Sequence, residues 1–135
     1  MDFAWIEYLK LAEMLSRNPD EASLRSAISR AYYFIYHRAN DRALSRNYRR
    51  PDEGGIHNSL WSFYERNTDA DCRRVALLGK RLHERRVKAD YRRDSYARIN
   101  EEVVQVLIDA KRCAEMIEAL RSDLPKDPPP RVYSI

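Results

Sequence analysis

Apolar residues recur at helical spacing through most of the chain. Trp5, Tyr8, Leu9, Ala12 and Leu15 stand at i, i+3, i+4, i+7 and i+10, one stripe of an amphipathic helix between Asp2 and Arg17. Asn18-Pro19-Asp20-Glu21 reads as the next helix start, with Asn18 as N-cap, Pro19 at the first helical position and Glu21 closing a capping box. The helix that follows is predicted to run to about Ser45, with Leu24, Ile28, Ala31 and Ile35 as its core stripe. Ala27 and Phe34 on one flank, and Tyr32 and Tyr36 on the other, widen the apolar arc beyond that of a surface helix and predict a central position.

The stretch from Asn47 to Gly55 holds a proline and two of the three glycines, and is read as a flexible loop. A short helix from Ile56 to about Asn67 places Ile56, Leu60 and Phe63 on one side. Asp69 or Asp71 caps a fourth helix with Val75, Leu78 and Leu82 inward, and Asp94 or Ser95 starts a fifth. In the fifth, Ile99, Val103, Val106, Ala110, Cys113, Ile117 and Leu120 alternate spacings of four and three, a seam that needs one or two long helices to pack against. Beyond Leu124, the run PKDPPPRVYSI cannot be helical through its three prolines and reads as an extended arm. The predicted fold is all-α: an up-and-down bundle of four to five antiparallel helices over residues 1–124, followed by an extended Pro-rich C-terminal tail over 125–135.

Composition narrows the function classes. At 135 residues, with 44% hydrophobic positions, one core is expected. Only three glycines argue against sandwiches, barrels and Gly-rich phosphate loops, all of which need residues that tolerate positive φ. No apolar run approaches the roughly 20 residues that span a bilayer, and MDFAWIEYLK carries acids where a signal peptide carries bases. A cytoplasmic protein without membrane association is expected. Cys72 and Cys113 lie 41 positions apart without C-x-x-C spacing and read as buried thiols. No metal-ligand spacing and no cofactor motif is found.

Charge is unevenly spread. Between Arg73 and Arg98, ten basic side chains face only Glu84, Asp90 and Asp94, an excess of seven where the whole chain has a net +4. Arg42, Arg46, Arg49 and Arg50 are placed to extend that patch. Such asymmetry in a small domain is the footprint of a polyanion partner, against the plainer alternative of a solvated helix face.

Within the second helix, Ser26, Arg30, Tyr33, His37 and Asn40 form a polar line opposite the core stripe. Two explanations are open: a satisfied network that fixes register, with Arg30 paired to an acid of another helix, or a groove wall where Arg30 and His37 contact phosphate and sugar. Arg86-Val87-Lys88-Ala89-Asp90-Tyr91 places one acid inside a basic run, where it can orient a neighbouring guanidinium. His57 and His83 have no ligand spacing and are read as surface or capping residues.

Taken together, Ser29-Arg30-Ala31-Tyr32-Tyr33-Phe34-Ile35-Tyr36-His37-Arg38-Ala39, then Ile56 to Phe63, then the R-x-x-A-D-Y run ending at Tyr91, then a long last helix, resemble the HEPN family in order and spacing over nearly the whole chain up to the tail. The resemblance implies a helical bundle, often dimeric, from prokaryotic toxin–antitoxin, defence and stress-response systems. Members include metal-independent endoribonucleases, RNA-binding relatives and proteins encoded beside a minimal nucleotidyltransferase. Active family nucleases pair an arginine with a histidine a few residues on. Here Arg86 matches the arginine, while Asp90 and Tyr91 stand where the histidine belongs. A carboxylate beside a scissile phosphate repels it. Arg30 and His37 meet the spacing formally, on another helix.

The expectation is a non-catalytic module that binds RNA or a nucleotide, as a homodimer and with a nucleotidyltransferase-type partner. Arg30, Arg85 and Arg86 would hold phosphates, Tyr33 or Tyr91 would stack on a base, and His37 and Asp90 would complete the site. The alternative is an active endoribonuclease with Arg30 and His37, or His57, as catalytic groups.

Overall fold

A computed structural model describes residues 1–94 and 96–120. It contains five helices: α1 (Ile6–Leu15), α2 (Glu21–Leu44), α3 (Ile56–Glu65), α4 (Ala70–Tyr91) and α5 (Ile99–Glu118). The reading of 125–135 as an extended arm lies outside the described residues. Among the described residues there is no strand, and no helix is long and apolar enough to cross a membrane.

The α5 seam is buried throughout, from Ile99 at 6% exposure to Ala110 and Cys113 at 0%. It packs on α2 and α4. The α2 stripe and both of its flanks are buried as well, and α2 touches each of the other helices. Side-chain pairs give the directions. Ser29 meets Asp90 and Tyr32 meets His83, so α2 and α4 are antiparallel. Arg38 meets Glu118 and Glu21 reaches Tyr96, so α2 and α5 run parallel. Trp5 meets His37, so α1 opposes α2. Helix α1 and the three long helices α2, α4 and α5 therefore alternate up and down in chain order. The short α3 is set beside them, parallel to α2: Tyr32 meets His57 at its start and Tyr64 donates to the Ala39 carbonyl near its end.

That placement requires the chain to turn back after α2. Asn47, Gly54 and Gly55 take left-handed backbone angles, φ 66°, 52° and 64°, and Gly55 stands at the N-cap of α3. The segment is anchored, because Tyr48 is buried on Phe63 and donates its hydroxyl proton to Ser59 Oγ.

Two helix starts differ from the sequence expectation. Asp20, and not Asn18, caps α2: its extended backbone lets the carboxylate accept from the Ser23 N–H at 2.9 Å. Glu21 is then the first helical residue, too early to close a capping box, and it accepts instead from the Tyr96 N–H and pairs with Arg25. Similarly, α5 begins at Ile99 with Arg98 at the cap position, later than Asp94 or Ser95. The Arg25 guanidinium donates to the carbonyls of Ala89, Arg92 and Asp94, which ties the connection to the start of α2 before the helix can begin. At α4 the cap is Asp69, which accepts from the Asp71 N–H. Cys72 and Cys113 are free and buried.

Candidate functional site

The line of polar residues on α2 faces α1, α3 and α4, and its middle forms the densest group of aromatic, histidine and arginine side chains in the bundle. Arg30 lies over the rings of Tyr8, at 4.8 Å, and Tyr33, at 5.2 Å. No acid pairs with it among the described residues, where its contacts are the two rings. Tyr33 is shared, because Arg86 from α4 also lies 5.2 Å from its ring centroid. Arg86 reaches Tyr32 at 5.7 Å and Tyr91 at 5.8 Å as well, and pairs with Asp90 at 3.5 Å. Asp90 in turn accepts from the Ser29 hydroxyl at 3.0 Å. Arg30, Tyr33, His37, Arg86, Asp90 and Tyr91 are thus brought into one neighbourhood by α2 and the end of α4.

Arg85 is not. Consecutive helical residues point about 100° apart, and Arg85 is turned to α5, where it pairs with Asp109 at 3.0 Å and Glu102 at 3.6 Å. Most of the basic run is neutralised in the same way: Arg74 by Asp71, Lys80 by Glu65, Lys88 by Glu102 and Arg98 by Glu101. Arg73 donates to the carbonyls of Asn67 and Thr68. An excess counted along the chain is therefore not a bare basic face, because compensating acids come from α3, α5 and the first turn of α4.

His57 and His83, expected at the surface, are half-buried and stacked on each other at 4.8 Å and 18°. The Trp61 indole N–H donates to Tyr32 Oη at 3.2 Å, and Tyr32 Oη lies 2.6 Å from His57 Nδ1. Tyr32 is fully buried, and burial raises its pKa well above the ordinary phenol value, so the hydroxyl keeps its proton. With a lone pair engaged by Trp61, that proton is assigned to His57 Nδ1. His57 is then the tautomer with its own proton on Nε2, a donor toward the rest of the cluster.

On the other side, Trp5 lies flush on His37, ring centroids 3.4 Å apart and 3° from coplanar, with Phe3 and Tyr8 against the indole edge. Spacing alone assigns Trp5 and Tyr8 to a core stripe and Tyr36 to its flank, counts Arg50 only in the basic patch, gives His57 only in the endoribonuclease alternative, and reads His83 as a surface or capping residue. The one local signal was the crowding of Tyr32, Tyr33 and Tyr36 into little more than one turn, aromatics whose polar tips need partners.

All three histidines are held toward the neutral form. Burial, then Arg50 and Arg30, lowers His37 to about 4; burial, then His83, Arg86, Arg50 and His37, lowers His57 to about 4. His83 is lowered by burial and Arg86 against the opposing pull of Glu84. The other neighbours of these rings are Trp5, Tyr8, Tyr32, Tyr33 and Tyr36. Near pH 6.5 and below, the unfolded chain takes up protons at these positions while the fold resists them. Their contribution to stability is then complete above about pH 6.5 and is lost as the pH falls toward 4. The urea midpoint is expected to drop between pH 7 and 5, and a His37→Asn, His57→Gln double variant should flatten that slope. A flat parent profile would contradict the buried, neutral assignment.

Comparison with protein-family models, curated proteins and solved structures finds no match to this chain. What the site can do follows from its side chains. Arg30, Arg50 and Arg86 supply positive charge, Tyr33 and Tyr91 supply ring faces, and Asp90 is the acid in contact with Arg86. Among the described residues no group of three or more His, Cys, Asp or Glu side chains is placed to hold a metal ion. A cavity of about 510 Å³ lies further along α2, between Arg38, Asp41 and Arg42 and the end of α5, and none of the site residues line it.

Proposed function

We propose that this chain is a HEPN-like module that binds RNA or a nucleotide without cleaving it. In this proposal it acts as a homodimer beside a nucleotidyltransferase-type partner in a prokaryotic toxin–antitoxin, defence or stress system. The family likeness rests on the R-A-Y-Y-x-x-x-H and R-x-x-A-D-Y runs. The observation that carries the binding reading is the condition of Arg86. Its side chain is only 8% exposed, lies among three tyrosine rings, and has a single acid 3.5 Å away. A buried guanidinium so lightly compensated favours an incoming anion, and tyrosine faces beside it favour a base.

Absence of cleavage is supported by His57, whose Nδ1 is engaged by the Tyr32 hydroxyl 2.6 Å away, and by the indole that covers one face of His37. Fluorescence anisotropy with a labelled single-stranded RNA tests the reading. If Arg30, Arg50 and Arg86 neutralise three phosphates, affinity should fall about 20-fold from 50 to 200 mM salt. Arg30→Gln should make that dependence shallower. No binding at low salt would refute the proposal. Incubation of the same RNA in chelator should leave it intact; cleavage that disappears in His37→Ala would establish the endoribonuclease instead.

A further inference from the structure

Two buried polar atoms around His57 have no hydrogen-bond partner among the described residues: Tyr36 Oη and Arg86 Nε. Tyr36 is 3% exposed and Arg86 6%. Stranding such groups is unfavourable, and most buried polar atoms in folded proteins are satisfied. Both belong to the His57 neighbourhood. The Tyr36 and His57 rings are 4.8 Å apart, and Arg86 lies over Tyr32, whose hydroxyl touches His57. In the tautomer assigned from the Trp61–Tyr32–His57 chain, His57 Nε2–H is a third donor. Arg50, exposed on the α2–α3 connection, acts on Tyr36 and His57, and His83 stacks on His57.

We infer that Tyr36, His57 and Arg86 form a subsite for a terminal phosphoryl group, such as the phosphate of a mononucleotide or the phosphorylated end of an RNA chain. The inference rests on the reading of this face as one that recognises phosphates, and adds which phosphate is taken. Three donors suit the three non-bridging oxygens of a phosphomonoester. An internal phosphodiester has two such oxygens and a single charge. A diester must also continue as chain on both sides, which a site built from buried donors does not permit. Arg50, exposed on the α2–α3 connection, supplies positive charge at the rim. Tyr91, 73% exposed at the end of α4, is the most exposed of the three rings beside Arg86 and marks the solvent side of the site.

The test uses the full chain, which has three histidines and so three imidazole C2–H proton resonances to follow. Inorganic phosphate should shift the His57 resonance saturably, the signal being assigned with His57→Gln. A 5′-phosphorylated RNA oligonucleotide should bind at least five-fold more tightly than its 5′-hydroxyl counterpart, and AMP more tightly than adenosine. Tyr36→Phe removes only the stranded hydroxyl. It should leave the melting temperature unchanged or raised, yet abolish the preference for phosphorylated ends.

Equal affinity for the two oligonucleotides, with no His57 shift, would overturn the subsite while leaving RNA binding intact. A His57 shift with phosphate that Tyr36→Phe weakens, without binding of either oligonucleotide, would uphold the subsite and remove the RNA reading. A preference that persists in both Tyr36→Phe and His57→Gln would also overturn the subsite.

Discussion

Arg86→Gln is expected to weaken RNA or nucleotide binding by about 10- to 150-fold, the value of about 1.5–3 kcal/mol for a hydrogen bond to a charged group. The melting temperature should stay within a few degrees of the parent's. These two outcomes diverge because the guanidinium is poorly compensated where it lies. Breaking a buried ion pair is usually damaging, since it strands the surviving charge. Here the survivor is Asp90, whose side chain is 30% exposed and keeps its hydrogen bond from Ser29. Gln gives up the guanidinium contacts with the Tyr32 and Tyr33 rings but keeps a polar, uncharged side chain that can still hydrogen-bond there. Titration calorimetry beside a thermal melt would separate the effects. A large loss of stability with unchanged affinity would make Arg86 a structural residue and refute its assignment as the anion anchor.

Gly79→Ala is expected to be the most destabilising single-methyl change in the bundle. A Cβ at this position would stand 2.4 Å from Trp61 Cζ3 and 2.5 Å from Cε3, far inside contact distance of a rigid ring. Trp61 is 1% exposed, and its indole N–H is committed to Tyr32. Alanine favours a helix interior over glycine by about 1 kcal/mol, but overpacking of this kind costs about 1–3 kcal/mol and at times more. With the helix gain subtracted from the top of that range, we expect a net loss of about 2 kcal/mol, or on the order of 5–10 °C in Tm for a domain of this size. Trp61→Phe in the same chain should restore part of it, because a smaller ring leaves room for the methyl. An unchanged melt would mean that α3 and α4 separate freely, which the close approach of Gly79 to the ring contradicts. The same displacement would disturb Tyr32 and, through it, the proton on His57. Ligand binding should weaken along with stability.

These two positions mark what was legible in the sequence and what was not. The α5 seam and the α2 stripe are properties of one helix at a time, so spacing alone exposed them, and every residue named in them is buried. Arg30, Tyr33 and His37 were legible as a line because they too share one helix. The partners of that line were not. His57 meets His83 across 26 residues of sequence, and only because Gly79 lets α3 settle against α4. No periodicity encodes that approach. Arg85 and Arg86 are neighbours in sequence with equal charge, and only the rotation of α4 sends one to Asp109 and the other to the tyrosines. Trp5 was visible as an apolar position, but its role as a ring on His37 depends on where α1 crosses α2.

That stacking gives the protein an internal optical gauge. Its two tryptophans report on different places: Trp61 from the sealed interface of α3 and α4, Trp5 from the half-buried surface of His37. A protonated imidazole quenches an indole that lies against it, whereas a neutral one does so weakly. The emission of a Trp61→Phe chain is therefore a direct readout of the charge on His37. It can follow that residue's ionisation, or its contact with a bound anion, without any added label.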